Sequence, residues 1–101
     1  MHLERAVFTL DCLDTMHEMS IAMEVCGIAE RQVGLDNLAT VLTVGLDVGG
    51  EAGVEVDNLE FCLEVLLSEA PFGRAKPKIQ RVDGNVLRVT YLEVEDDSPD
   101  D

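Results

Sequence analysis

The sequence predicts an α+β fold in which two helices pack on one face of a three-stranded, mainly antiparallel sheet, in the order α-β-α-β-β. Apolar residues recur at helical spacing in two segments and alternate at strand spacing or form short strand-like runs in three others. A chain of 101 residues is long enough for one two-layer core. Because only 4% of its residues are aromatic, that core must be aliphatic.

The first predicted helix runs from Met16 to about Val33. Its apolar residues follow the i, i+3, i+4, i+7 pattern: Ile21, Ala22, Val25, Cys26, Ile28, Ala29 and Val33. Gly34 is expected to end this helix. Residues 1–15 fit a strand and a helix about equally well. We treat them as an N-terminal extension whose secondary structure the sequence does not decide.

The first predicted strand runs from Leu38 to about Val48, where the apolar period changes to two. Four alternate residues are expected to face the core: Leu42, Val44, Leu46 and Val48. Residues 49–53 contain three glycines and predict a flexible connector. They lack the lysine and the spacing of a phosphate-binding loop.

The second predicted helix opens at Asp57, with Glu60 completing a cap-like pair. Its predicted apolar stripe consists of Leu59, Cys62, Leu63 and Leu66, widened by Phe61 and Val65. Strands over residues 77–82 and 86–94 follow. The Asp83-Gly84 turn between them predicts an antiparallel hairpin. Residues 96–101 are predicted to be a disordered acidic tail.

The net charge of −14 argues against binding to nucleic acid or to an anionic membrane. Five of the seven cations fall in one stretch: Arg74, Lys76, Lys78, Arg81 and Arg88. That stretch is either a solvated face or a binding surface for an acidic partner. There is no apolar run of the roughly 18 residues that cross a bilayer, and the acidic first 15 residues do not fit a secretory signal. We therefore expect a cytoplasmic protein.

The three cysteines, Cys12, Cys26 and Cys62, are odd in number and widely separated, which argues against a disulfide framework. Cys26 and Cys62 fall within apolar helical patterns and are predicted to be buried. No C-x-x-C pair occurs, so zinc is not expected. The sequence also offers no nucleophile–His–acid arrangement, and we expect no enzyme.

Metal-binding chemistry and a helix start coincide only at Met16, His17 and Glu18. Histidine is the commonest metal ligand, and the first backbone amides of a helix lack intrahelical partners. Nitrogen-rich surroundings of this kind suit Ni(II) or Cu(II). The alternative is structural, since Thr15-x-x-Glu18 has the form of a capping box. The two interpretations compete for the Glu18 carboxylate, and His17 discriminates between them.

With these elements placed, the chain resembles the HypA/HybF family of hydrogenase nickel-incorporation proteins. The resemblance rests on MHEMSIA at residues 16–22, LDVGGEAGV at 46–54, NLEFCLEVL at 58–66, DGN at 83–85 and LRVTYLEVE at 87–95. It implies a nickel-binding domain over residues 16–95. It also implies a metallochaperone that carries Ni(II) toward [NiFe] hydrogenase, or in some members urease, together with a nickel GTPase.

In the family, the nickel ligands are the imidazole corresponding to His17, nearby main-chain nitrogens and the amine of the initiator Met, here Met16. The resemblance implies that Glu18 tunes that site or contributes to it. Two features differ from the family pattern. Only residues 83–85 stand where members insert a zinc-binding lobe, and Met16 is internal, so Met1-His2 is an alternative amine–imidazole pair.

In a second hypothesis, the chain retains the HypA-like core but does not deliver metal. The chain would then be a protein-interaction scaffold that docks a maturation partner, such as the hydrogenase large subunit. Nickel binding that depends on His17 distinguishes the two hypotheses.

Overall fold

A computed structural model of the chain describes residues 2–9 and 18–95. Its elements in chain order are β1 (His2–Thr9), α1 (Glu18–Val33), a 3-10 helix (Leu35–Thr40), β2 (Val41–Gly49), α2 (Val56–Leu67), β3 (Lys76–Val82) and β4 (Leu87–Val94). The α+β class and the predicted order of the main elements are confirmed. The first predicted strand begins later than expected, because residues 35–40 form the 3-10 helix. The predicted tail, residues 96–101, lies outside the described residues.

The sheet has the strand order β1-β4-β2-β3. β4 pairs antiparallel with both β1 and β2, whereas β2 and β3 are parallel, so the mainly antiparallel character is confirmed. The prediction of only three strands is wrong. β1 lies in the segment that fits a strand and a helix about equally well, and it forms a fourth strand along β4, with His2 opposite Val94 and Thr9 opposite Arg88.

The predicted hairpin between β3 and β4 is also wrong, because β2 lies between these two strands. A parallel pair such as β2 and β3 requires a crossover connection, and α2 provides it. Residues 83–86 then pass across the end of β2. There the Gly49 N–H donates to the Val86 carbonyl (2.6 Å), and the Gly50 N–H donates to the Val82 carbonyl (3.0 Å).

Both helices pack on one face of the sheet over an aliphatic core. The inward positions of β2 include Val44, Leu46 and Val48, as predicted. The buried helical residues are Ile21, Ala22, Val25, Ile28 and Ala29 of α1 with Leu59, Leu63 and Leu67 of α2. These residues form one cluster with Leu87, Val89 and Leu92 of β4.

Two predicted core positions, Leu42 and Phe61, are wrong. The register between β2 and β4 shifts between Val41 and Thr43, so β2 carries an extra residue there and Val41 is buried where the alternation predicted Leu42. Phe61 is 64% exposed, because it lies on the side of α2 that faces away from Leu59 and Leu63.

The two predicted helix ends have different outcomes. Gly34 ends α1 as expected, with a positive φ of 87° and its N–H donating to the Glu30 carbonyl (2.8 Å). In α2 the N-cap residue is Glu55, so the cap predicted at Asp57 is wrong. The Asp57 carboxylate instead accepts a hydrogen bond from Arg81 (3.4 Å).

On the sheet face opposite the helices, β2 and β4 are linked by polar side chains. Thr43 donates to Glu93 (2.8 Å), and Arg88 donates to Asp47 through both Nε and Nη2 (3.2 and 3.1 Å). Arg74 pairs with Glu95 at the far end of β4. Much of the basic stretch is therefore neutralised within the chain.

Candidate metal centre

The start of both helices and the ends of β2 and β3 meet at one end of the molecule. Gly49 and Val82 are paired in register as the last residues of the two parallel strands. Residues 50–52 follow β2 and are held by backbone hydrogen bonds, including Glu51 N–H to the Gly84 carbonyl (2.9 Å). The segment predicted as a flexible connector is thus tied to the loop that leads into β4.

Glu18, the first residue of α1, connects the two helix starts. Its half-buried side chain accepts a hydrogen bond at Oε2 from the backbone N–H of Glu55, the N-cap residue of α2 (2.9 Å). In a capping box, this N-cap amide bonds to a Glu three residues later in its own helix. Here a carboxylate from the neighbouring helix has that role. The Glu18 carboxylate therefore fixes the position of α1 relative to α2.

The other two residues predicted to bind metal, Met16 and His17, lie outside the described residues, as does Thr15 of the alternative capping box. Their roles stay predictions. Among residues 2–9 and 18–95, no three His, Cys, Asp or Glu side chains converge in a group that could hold a metal ion.

Exposed carboxylates surround this end of the molecule. Glu51 and Glu55 flank the connector, and Asp57 lies in the first turn of α2. Clustered charges of one sign raise the local concentration of the opposite ion. This surface attracts cations, and the only basic group described in contact with these carboxylates is Arg81 at Asp57.

Comparison with known proteins connects this end of the molecule to one family. A family model described as hydrogenase/urease nickel incorporation, metallochaperone, HypA matches residues 16–88, which begin at the Met-His-Glu motif and end in β4. The chain belongs to the HypA family. This match confirms the resemblance to the HypA/HybF family that the sequence indicates.

Several curated HypA proteins are similar to this HypA-family chain. The hydrogenase maturation factor HypA of Azoarcus sp. (strain BH72) is 44% identical over 71 residues, which are 69% of this chain and 61% of the relative. That of Geobacter metallireducens is 39% identical over 69 residues (68% and 60%), and that of Cereibacter sphaeroides 35% over 72 residues (71% and 64%).

The chain spans about three fifths of the length of the first two of these HypA relatives. No solved structure matched it. Among the described residues, no helix combines the length and the hydrophobicity needed to cross a bilayer.

The hydrogen bond from Glu55 to Glu18 gives this HypA-family fold a testable structural link. Replacing Glu18 by Ala is expected to lower the free energy of unfolding by about 1–2 kcal/mol without any metal, because the N-cap amide of α2 loses its acceptor. Glu18→Gln keeps an oxygen acceptor and should retain most of that stability. Urea denaturation in the presence of a chelator measures both variants.

Glu24→Ala is the matched control for Glu18→Ala, since it removes a carboxylate from the same helix. Among the described residues, Glu24 pairs with the exposed Arg31 (3.5 Å), and such a surface pair contributes about 0.5 kcal/mol or less. Equal destabilisation by the Glu18 and Glu24 variants would contradict the proposed link between the helices.

The cysteines of the described residues, Cys26 in α1 and Cys62 in α2, are half-buried and pack against the core. They are thus less buried than the sequence predicted. Burial raises the pKa of the Cys26 thiol from 9.0 to about 11, because the thiolate is poorly solvated there. Cys12 lies outside the described residues.

The raised pKa predicts an unreactive Cys26 thiol. At pH 8 the folded chain should hold about a hundredfold less Cys26 thiolate than a solvated thiol of pKa 9.0, because the pKa differs by about two units. In a Cys12→Ser, Cys62→Ser background, alkylation of Cys26 by iodoacetamide should therefore be slow in buffer and fast in urea. Equal rates in the two solvents would contradict the burial of this thiol.

Proposed function

We propose that this chain carries Ni(II) toward the metal centre of a hydrogenase, or of urease, and binds the ion at the motif formed by Met16, His17 and Glu18. The observation that supports this most strongly is the family match over residues 16–88, because the motif lies inside it. The acidic end of the molecule around Glu51, Glu55 and Asp57 is consistent with a cationic cargo.

The proposed ligands are the His17 imidazole and neighbouring main-chain nitrogens, including that of Met16. Such a nitrogen set favours a planar arrangement around Ni(II). Glu18 has a positioning role. Its carboxylate accepts the Glu55 N–H, so it holds the start of α1 against α2 while it lies next to the ion. Hydrogen-bonded neighbours of this kind orient metal ligands and tune their affinity.

The proposed partners are the nickel GTPase of the maturation pathway and the large subunit of the hydrogenase, in the cytoplasm. Nickel is the only metal in the proposal, because the chain contains no C-x-x-C pair that could bind structural zinc. Ni(II) is cargo here, to be bound and released, and not a permanent part of the fold.

Nickel titration of the full chain, monitored by competition with a chromophoric chelator, tests the site. His17→Ala is expected to weaken Ni(II) binding by more than about tenfold, because it removes the imidazole ligand. The chain has one other histidine, so His2→Ala is the matched control and should bind like the unmodified protein. Loss of binding in His2→Ala with normal binding in His17→Ala would place the ion at Met1-His2 and overturn the proposed site.

A version of the chain that begins at Met16 adds a second arm to this titration. Its terminal amine replaces an amide nitrogen next to His17, and an amine is the better ligand. We expect this version to bind Ni(II) more tightly than the full chain, provided that its circular dichroism shows a folded protein. Weaker binding by a folded version would argue against Met16 as a ligand.

The alternative of a metal-free scaffold is tested by partner binding. Pull-down of a hydrogenase large subunit by the unmodified protein and by His17→Ala separates the two functions. Capture of the subunit by both proteins, together with no His17-dependent nickel complex, would favour the scaffold over the metallochaperone.

A further inference from the structure

A groove lies between α1 and the end of α2. It has a volume of about 320 Å³, and its lining includes Met23, Cys26 and Glu30 from α1 together with Leu66, Glu69 and Phe72. Because α1 and α2 both start at the proposed metal end and run side by side, the groove begins at Met23, about one and a half turns beyond Glu18, and reaches Glu30, about three turns beyond it.

The floor of this α1–α2 groove is apolar and open to solvent. Met23 is 60% exposed, and Met19, one turn earlier on the same flank of α1, is 41% exposed. Cys26 and Leu66 line the groove with Met23, are partly buried and pack against the core. Methionine is flexible and polarisable, and it is used often on surfaces that accept helical partners. Clustered apolar exposure of this kind marks an interaction site more often than isolated residues do.

The rim of the groove is acidic on both sides. Glu30 lies in the last turn of α1 and Glu69 follows α2, and both are exposed. Within residues 18–95, neither carboxylate forms an ion pair or a side-chain hydrogen bond, although Glu24 and Asp57 nearby in the chain do. A partner that carries Lys or Arg beside apolar residues would form ion pairs with both carboxylates and apolar contacts with the floor of the groove.

We propose that the α1–α2 groove is a docking site for a basic amphipathic helix of a partner protein. Its apolar side chains would contact Met23 and Leu66, while flanking Lys or Arg side chains would pair with Glu30 and Glu69. Two helices that run side by side present a groove in which a third helix packs, and apolar anchors at i, i+3, i+4 and i+7 are the usual mode of such recognition. The proposal is independent of the nickel site.

A synthetic peptide is a direct probe of this surface. It has about 15 residues, the length at which isolated helices become stable, with Leu at helical spacing on one face and Lys on the other. Fluorescence anisotropy of the labelled peptide against the full chain should show saturable binding. The same peptide with Glu in place of Lys should not bind, because its charge repels the acidic rim.

Met23→Lys is expected to weaken binding of the Lys peptide by about tenfold or more, because it places a cation in the apolar floor. The matched control is Phe61→Ser, which removes a similarly exposed apolar side chain from the outer side of α2 and should leave the affinity unchanged. The double change Glu30→Gln, Glu69→Gln should weaken binding and flatten its dependence on salt.

Methionine methyl NMR provides a second measurement on the unmodified protein. The Met23 methyl resonance should shift on addition of the Lys peptide, and the same shift should occur in His17→Ala. Absence of saturable binding, equal affinity for the Lys and Glu peptides, or unchanged binding in Met23→Lys would each overturn the proposal.

Discussion

Gly49→Ala is expected to lower the free energy of unfolding by about 3 kcal/mol, although it adds a single methyl group. A Cβ at this position would overlap the Gly84 carbonyl and lie 2.7 Å from the Val86 nitrogen. Both atoms belong to the backbone of residues 83–86, so no side-chain rotation relieves the contact. The same backbone accepts the Gly49 N–H at Val86, and this hydrogen bond would be strained as the loop is displaced. Urea denaturation measures the loss.

Gly50→Ala is the matched control, because a Cβ at Gly50 would meet no atom within 4 Å. Its free energy of unfolding should stay within about 1 kcal/mol of that of the unmodified protein. Similar destabilisation by the two substitutions would contradict the close passage of residues 83–86 over the end of β2.

The importance of Gly49 follows from a strand arrangement that the sequence did not reveal. The Asp83-Gly84 turn predicts that β3 and β4 pair with each other, since turn residues report on the local reversal of the chain. Which strands become neighbours depends on contacts between distant residues. Here the parallel pairing of β3 with β2 allows α2 to cover the sheet, and β2 takes the place that the hairpin would have given to β4.

Side-chain direction could be predicted where the period is unbroken and not where it is interrupted. Val44, Leu46 and Val48 follow a regular alternation, and all three are buried. Leu42 stands in the same alternation but is separated from it by the extra residue in β2. A bulge changes the facing of every residue beyond it, and nothing in the residue types around Leu42 indicates one.

For the candidate metal site, the motif could be found from sequence, but the partner of Glu18 could not. A helix start with an adjacent His and Glu is visible in residues 16–20. Glu18 accepts a hydrogen bond from the backbone N–H of Glu55, 37 residues away. Almost every residue has a backbone N–H, so the sequence does not indicate which of them a carboxylate will bind. The sequence thus identifies which side chains to test, and the fold explains why one of them has a structural role as well.

The proposed metal site and the acidic rim of the groove lie at opposite ends of the same pair of helices. Glu18 and Glu55 link the helix starts, whereas Glu30 and Glu69 border the groove near the helix ends. Because both sites depend on how α1 packs against α2, the buried contacts between these helices should be the main source of their common stability.

Leu63→Ala tests this packing and is expected to lower the free energy of unfolding by about 3 kcal/mol. Leu63 lies in the middle of α2, is fully buried and belongs to the cluster formed with α1 and the sheet. Truncation removes apolar surface from the core and leaves a cavity that the surrounding helices fill only in part. Thermal and urea denaturation should both show the loss, and Ni(II) binding should weaken only under conditions in which the variant unfolds.

Phe61→Ala is the control for Leu63→Ala, because it removes a larger side chain from the same helix at a position that is 64% exposed. Its free energy of unfolding should change by less than about 0.5 kcal/mol. A greater loss in Phe61→Ala than in Leu63→Ala would mean that α2 packs through the opposite side. That result would contradict both the groove beside Leu66 and the hydrogen bond between Glu18 and Glu55, since both depend on this orientation of α2.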